Sequence, residues 1–318
     1  MKAAVVPAVN SSWQIKDVQQ PQPGSNQVLV KMHASGICYT DVHETRGHIP
    51  VQFPRILGHE PVGEIVAVAS DVTTRRVGDR VGPAWIQTTC GRCEWCQRGR
   101  RMFCPYLKGT GLDVQGGHAE YMLMNADVTY LIPDKVSYEQ AAPIFCAGYT
   151  VYGGLRWADP QPHERVAVLG IGGLGHLAVQ YAKAAGFETI AISHSPDKDK
   201  MIRQLGADEI VRDGRGLAAA GGADVILSTS TSNSTKSMID SIQGLRPDGR
   251  LVAMGADVEP LSISLTDLIL KRIRIIGSQQ NGPEYLYEAL DFVASTRWQR
   301  RRRLTIALRR ARPGSAPS

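Results

Sequence analysis

The sequence predicts a two-domain α/β protein: an irregular, mostly-β unit of the partly open barrel kind, then a doubly wound parallel sheet. Three observations carry this. Short β-type segments broken by Gly and Pro fill the first half of the 318-residue chain. From about residue 164 strands alternate with amphipathic helices, the pattern of a parallel sheet flanked by helices. A glycine-rich turn joins the first of those strands to the first of those helices. A chain of this length can bury two cores. The boundaries are placed at 1–150, 151–280 and 281–318, the last segment returning to the first unit.

In the first unit QVLVKMHA (27–34), VGEIVAVAS (62–70), DRVGP (79–83) and AEYMLMNA (119–126) read as strands. ERVAVLG (164–170) is an apolar, β-branched run suited to a buried parallel strand. LGHLAVQYAKAAG (174–186) has apolar residues at helical spacing and stops at Gly186. Then come strand ETIAISHS (188–195), helix KDKMIRQLGA (198–207), strand ADVILSTS (223–230), helix KSMIDSIQGL (236–245) and strand GRLVAMG (249–255). RIRIIGSQ (272–279) closes the series.

The turn GIGGLG places Gly170, Gly172 and Gly175 in the G-x-G-x-x-G pattern, with Gly173 and Leu174 inside it. It follows a strand, opens a helix, and a second strand ends about 20 residues on. That context suits a pyrophosphate held at a helix N-terminus by closely approaching backbone. The second strand ends in Ser193, where an acid for the adenosine ribose is expected, with His194, Ser195 and Lys198 beside it. Hydroxyls and a cation accept a 2′-phosphate that an acid would repel, so NADP(H) is favoured over NAD(H). Asp197 or Asp199 acting as the ribose acid from a shifted register stays open.

The start, MKAAVVPAVN, lacks a signal-peptide core, and no apolar run reaches membrane-spanning length. A cytoplasmic location is expected, with reduced thiols, so clustered cysteines point to metal rather than disulfides. Cys90, Cys93, Cys96 and Cys104 lie in the single loop CGRCEWCQRGRRMFC. Four thiolates close a tetrahedral shell around Zn²⁺ and leave no open position, which makes the site structural. Cys38 and Cys146 stand far apart, with His59 and Glu60 between them in GHEPVGE. Two thiolates and an imidazole match a zinc site with a free fourth position, although lone cysteines also serve as small buried side chains.

The segments GICYTDVHETRG, LGHEPVGEI, the four-cysteine loop, CAGYTVYGG and LGIGGLGHLAVQYAK follow one another as in zinc-dependent medium-chain alcohol dehydrogenases. The chain resembles that family, in its cinnamyl-alcohol-dehydrogenase-like and bacterial primary-alcohol branches, through about residue 296. The resemblance implies a GroES-like catalytic domain over 1–150 with a structural zinc lobe at 88–106. It implies a Rossmann domain over 151–280 and two zinc ions per chain. By resemblance Cys38, His59 and Cys146 hold the catalytic zinc, Glu60 is an exchangeable carboxylate beside it, and Asp41 orients His59. Thr40 and His43 resemble the hydroxyl and outer base of a proton relay. Thr150 resembles the residue packed on the nicotinamide, and Trp85 a wall of the substrate pocket. Tyr39 takes a place where some relatives carry a cation near the pyrophosphate. The other five histidines receive no role.

The implied reaction moves a hydride between a primary alcohol or aldehyde and a nicotinamide cofactor in a homo-oligomer, dimer or tetramer. An NAD-dependent polyol or secondary-alcohol dehydrogenase is the alternative, and a non-catalytic zinc and nucleotide-binding protein a further one. The last stretch, RWQRRRRLTIALRRARPGSAPS, departs from the family, with eight Arg and no acid. It reads as a changed reading frame or as a basic tail. Removing its eight charges from the formal +6 leaves −2 for residues 1–296, so the body is not a nucleic-acid binder by charge.

Overall fold

The structure, a computed structural model, describes residues 1–230, 234–255, 259–280 and 282–295. In the first unit β1 (Lys2–Val6), β2 (Gln14–Asp17) and β4 (Arg55–Ile56) form a small antiparallel sheet in the order β2-β1-β4. A second antiparallel sheet runs β10-β6-β5-β3-β9, from β3 (Gln27–Gly36), β5 (Glu60–Val68), β6 (Arg80–Pro83), β9 (Tyr121–Asn125) and β10 (Thr129–Leu131). Alternation in YMLMN turns Met122 and Met124 inward onto Val28, Val30 and Ile65. The hairpin of β7 (Ile86–Thr88) and β8 (Lys108–Gly109) carries the four-cysteine loop and its short helix α2 (Glu94–Gln97). Two helices, α1 (Tyr39–Thr45) and α3 (Tyr138–Ala141), complete this unit.

The second unit is a six-stranded parallel sheet in the order β13-β12-β11-β14-β15-β16. Its strands are β11 (Arg165–Leu169), β12 (Glu188–Ile192), β13 (Glu209–Val211), β14 (Ala223–Ser228), β15 (Leu245–Ala253) and β16 (Arg274–Gly277). All five residues of β11 are buried. Val166 and Val168 join the core on one face, Ala167 and Leu169 the core on the other. Both faces are covered by helices, so the strand is apolar on both sides, as its composition required.

Helices α4 (Ala147–Ala158) and α5 (Gly175–Ala185) pack together, and α10 (Pro283–Ala294) packs on α4. The remaining crossovers are α6 (Asp199–Leu205), α7 (Gly214–Ala219), α8 (Ser234–Ile242) and α9 (Leu265–Lys271). Helix α5 ends where expected, at Gly186 with φ 104°, a conformation glycine adopts without strain. Sequence periodicity passes over β13 and α7, because EIV is three residues long and α7 carries two glycines. Helix α4 runs unbroken across residues 150 and 151. The buried Arg250 fixes its far end, donating to the carbonyls of Ala158 (2.6 Å) and Asp159 (2.8 Å) while paired with Glu164.

Strand order reverses between β11 and β14, and a crevice opens at the carboxyl ends of these strands. Among the described residues no helix is long and apolar enough to cross a membrane. The Arg-rich segment lies outside the described residues.

Candidate active site

A cavity of about 2030 Å³ occupies that crevice and extends into the first unit. Cys38, His59, Glu60 and Cys146 line its floor, and one ligand atom from each lies within 4.8 Å of the others. The sulfurs of Cys38 and Cys146 are 3.9 Å apart, and Nε2 of His59 is 3.3 Å from the Cys146 sulfur. Cys38 precedes α1, Cys146 precedes α4, and His59 and Glu60 stand at the start of β5. Gly36 faces Glu60 across the β3–β5 ladder, and a Cβ there would come within 1.9 Å of the carboxylate. Only glycine lets Glu60 turn in.

The charges of this quartet are strongly coupled. Its hydrogen bond with Cys146 and the His59 imidazolium outweigh burial and lower Cys38 to about 4. The bond to Cys38 and burial raise Cys146 well above the ordinary thiol value. Burial, then the Cys38 charge, pushes Glu60 up to about 8. Burial alone would lower His59, but Cys38, Asp41 and Glu60 raise it to about 9. So many buried anionic groups resist ionising together unless a cation joins them. The donor set of two sulfurs, an imidazole and a carboxylate fits Zn²⁺.

Asp41 sits behind the quartet, fully buried. One carboxylate oxygen accepts from the Cys38 amide (2.8 Å), closing a capping box on α1. The other accepts from the Gly58 amide (3.1 Å) and lies 3.8 Å from Nδ1 of His59 and 3.6 Å from Nε2 of His118. His118 in turn reaches the Ser35 hydroxyl at 3.0 Å. Thr40 places its hydroxyl 3.5 Å from the Cys38 sulfur. His43 lines the cavity wall, and burial, then the His48 charge, lowers its affinity for a proton.

Cys90, Cys93, Cys96 and Cys104 also converge within 4.8 Å, all as free thiols. Their loop is folded by sulfur-directed backbone bonds: Cys90 N–H to the Cys104 sulfur and Cys93 N–H to the Cys90 sulfur, both 3.4 Å. They do not line the large cavity, so this second sulfur cluster stands apart from the first.

At the opposite end of the cavity the glycines have distinct reasons. Gly170 has φ +83° and lies against Ser230; Gly175 would put a Cβ 1.9 Å from the Gly170 carbonyl. Gly172 and Gly173 have nothing within 4 Å of a Cβ, so their openness serves no packing within the chain. Both glycines and Leu174 line the cavity, as do Thr150 and Trp85. Ser193 is buried at the tip of β12, and His194 and Ser195 follow it along the cavity edge. The Lys198 ammonium donates to the Ile171 carbonyl at 3.4 Å, which brings its charge to the glycine turn.

Three contributors escaped the sequence reading. Arg212, just after β13, donates to the Ser193 carbonyl (3.1 Å) and grips Asp199 with two bonds of 2.9 and 2.6 Å. His176 reaches the Gly172 carbonyl at 3.1 Å, inside the cavity. His118 meets Asp41 from the far side. For Arg212 a signal exists, its place at the carboxyl end of a parallel strand; His118 carries none, since Asp41 lies far off in sequence, and His176 meets a backbone carbonyl four residues back, which no side-chain pattern announces.

Comparison with known proteins agrees with this geometry. Residues 24–134 match the family model of the alcohol dehydrogenase GroES-like domain, and residues 173–295 that of zinc-binding dehydrogenase. An alcohol dehydrogenase of Geobacillus stearothermophilus is 40% identical over 302 residues, covering 92% of this chain and 89% of that protein. Among solved structures, the alcohol dehydrogenase TADH from Thermus sp. ATN1 superposes with a TM-score of 0.86 at 28% identity, covering 96% of this chain and 92% of that one. A zinc-binding dehydrogenase from Sinorhizobium meliloti 1021 bound to NADP gives 0.84 at 29% identity, covering 92% and 88%.

Proposed function

The chain belongs to the zinc-binding alcohol dehydrogenase family, and on that premise we propose that it transfers a hydride between a primary alcohol or aldehyde and NADP(H). One observation carries the reading: the Cys38/His59/Glu60/Cys146 quartet and the open glycine turn line the same cavity. Cys38, His59 and Cys146 would hold the catalytic zinc, with Glu60 beside it, and the four-cysteine loop a second, structural one. Zinc supplies Lewis acidity that makes a bound hydroxyl acidic near neutral pH, and the nicotinamide supplies the two-electron acceptor.

The chain's residues do the rest. Asp41 holds the His59 ring and the Cys38 backbone in one arrangement. Thr40, at the sulfur of Cys38, is placed to pass the substrate's proton outward, and His43 on the wall to receive it. Thr150 backs the nicotinamide and Trp85 bounds the substrate. The GIGGLG amides, at the N-terminus of α5, take the pyrophosphate.

Support for NADP(H) comes from the tip of β12. Ser193 offers a hydroxyl, Lys198 and Arg212 bring positive charge, and Asp199 is committed to Arg212 rather than to a ribose. A charge-assisted bond contributes about 1.5–3 kcal/mol, a preference of roughly ten- to a hundredfold. The test is kcat/KM with NADPH and NADH for the parent, Ser193→Asp and Lys198→Ala. Ser193→Asp should reverse the preference, and Lys198→Ala should weaken NADPH alone. A parent that prefers NADH, with Lys198→Ala affecting neither cofactor, would point to Asp197 as the ribose partner.

A further inference from the structure

His43 does not end at the cavity wall. Helix α1 stops at Thr45, and Gly47, with φ +74°, turns the chain back on itself. A Cβ on Gly47 would strike Val9 at 2.7 Å, so the turn is closed to other residues. The reversal makes the His48 amide donate to the His43 carbonyl at 2.9 Å and brings the two ring centroids to 5.4 Å at a 49° tilt. Their Nδ1 atoms are 3.1 Å apart, hydrogen-bond distance for one shared proton. His43 is part of the cavity lining, whereas His48 is exposed to solvent.

We propose that His48 is the outer half of an imidazole pair that carries the reaction's proton from the cavity wall to bulk water. The inference rests on the reading of His43 as the relay base. The Nδ1 of His43 is turned to His48, which leaves Nε2 to take the proton from the cavity side. The imidazolium so formed gives up its Nδ1 proton: that N–H bond breaks as an N–H bond forms at Nδ1 of His48. His48 then releases its Nε2 proton to water, and no electrons change hands. Exchange with water between turnovers restores the starting tautomers.

Groups around the pair favour outward transfer. Burial, the His48 charge and Arg46 weaken His43's hold on a proton, with the Cys38 thiolate opposing them. Tyr39 meets the His43 ring edge-on at 4.9 Å and helps fix its plane. His48 stands in solvent where His43 is half-buried, so the pair opens outward to water. It is a positioning and proton-accepting residue that works through His43.

The test uses the zinc-loaded enzyme in stopped flow, with benzyl alcohol and NADP⁺ in weakly buffered solution. Cofactor absorbance reads hydride transfer, and a pH-indicator dye reads proton release. In the parent the two signals should rise together. In His48→Ala and in the ring-preserving His48→Phe, proton release should lag about tenfold, and free imidazole should restore it. Imidazole ¹⁵N NMR should show Nδ1 of His43 and His48 titrating together in the parent, and a single independent His43 in His48→Phe. Unchanged proton release in both variants, or a lag that imidazole does not relieve, overturns the proposal. His43→Gln separates the two readings. If it leaves proton release at the parent rate, the reading of His43 as relay base fails. If it slows release while the His48 variants do not, only the role of His48 fails.

Discussion

Glu44 is 1% exposed on α1, and neither carboxylate oxygen has a hydrogen-bond partner. Burial, then the charge of Asp41 one turn away, raises it from the ordinary 4.5 to about 7. An acid whose folded pKa is raised binds its proton more tightly when folded. Its stability contribution is therefore intact below the unfolded value and drains away as pH rises through the folded one. The full shift corresponds to about 3 kcal/mol, of which about 2.5 kcal/mol falls between pH 5 and pH 8. Glu44→Gln removes the titration and keeps the shape. Its unpaired amide carries a cost of its own, but that cost does not vary with pH. Urea unfolding of parent and variant at both pH values, followed by tryptophan fluorescence, isolates the charge. The variant should gain on the parent by about 2.5 kcal/mol from pH 5 to pH 8. Parallel pH profiles would refute the assignment of a protonated Glu44 in the folded state.

Elemental analysis of the parent should find two zinc ions per chain, and of Cys38→Ser and Cys93→Ser one each. Cys38→Ser should lose turnover and keep its melting temperature, while Cys93→Ser should lose stability first, because an opened shell removes folding free energy. Gly175→Ala should cost about 3 kcal/mol through its clash with the Gly170 carbonyl, measured by chemical denaturation. Gly172→Ala meets nothing within the chain, so it should fold like the parent and bind dinucleotide at least about tenfold more weakly in titration calorimetry. Deleting residues 298–318 should leave the dinucleotide dissociation constant within about threefold, since the cavity lining among the described residues ends at Val293. Tight, steeply salt-dependent DNA binding that vanishes on deletion would instead give that segment a function.

The sequence by itself determined the parallel sheet, because a strand buried on both faces is apolar along its middle, as VAVL is after the ion-paired Arg165. It also determined the glycine turn, where Gly170 and Gly175 are dictated by local φ and by the closeness of strand and helix. Spacing was enough for the four-cysteine loop, since 15 consecutive residues can close on one ion unaided. Tertiary structure alone decided the rest. Cys38 and Cys146 are 108 residues apart and meet only because β3, β5 and α4 pack around one cavity floor. The fate of Asp199 depended on Arg212, from a strand too short to show in any periodicity. His118, His176 and His48 looked alike as lone histidines, and their chemistry differs by what each ring faces: a buried carboxylate, a glycine carbonyl, a second imidazole. Local pattern fixes what a segment becomes; the charge, burial and reach of a side chain are set by neighbours the pattern does not contain.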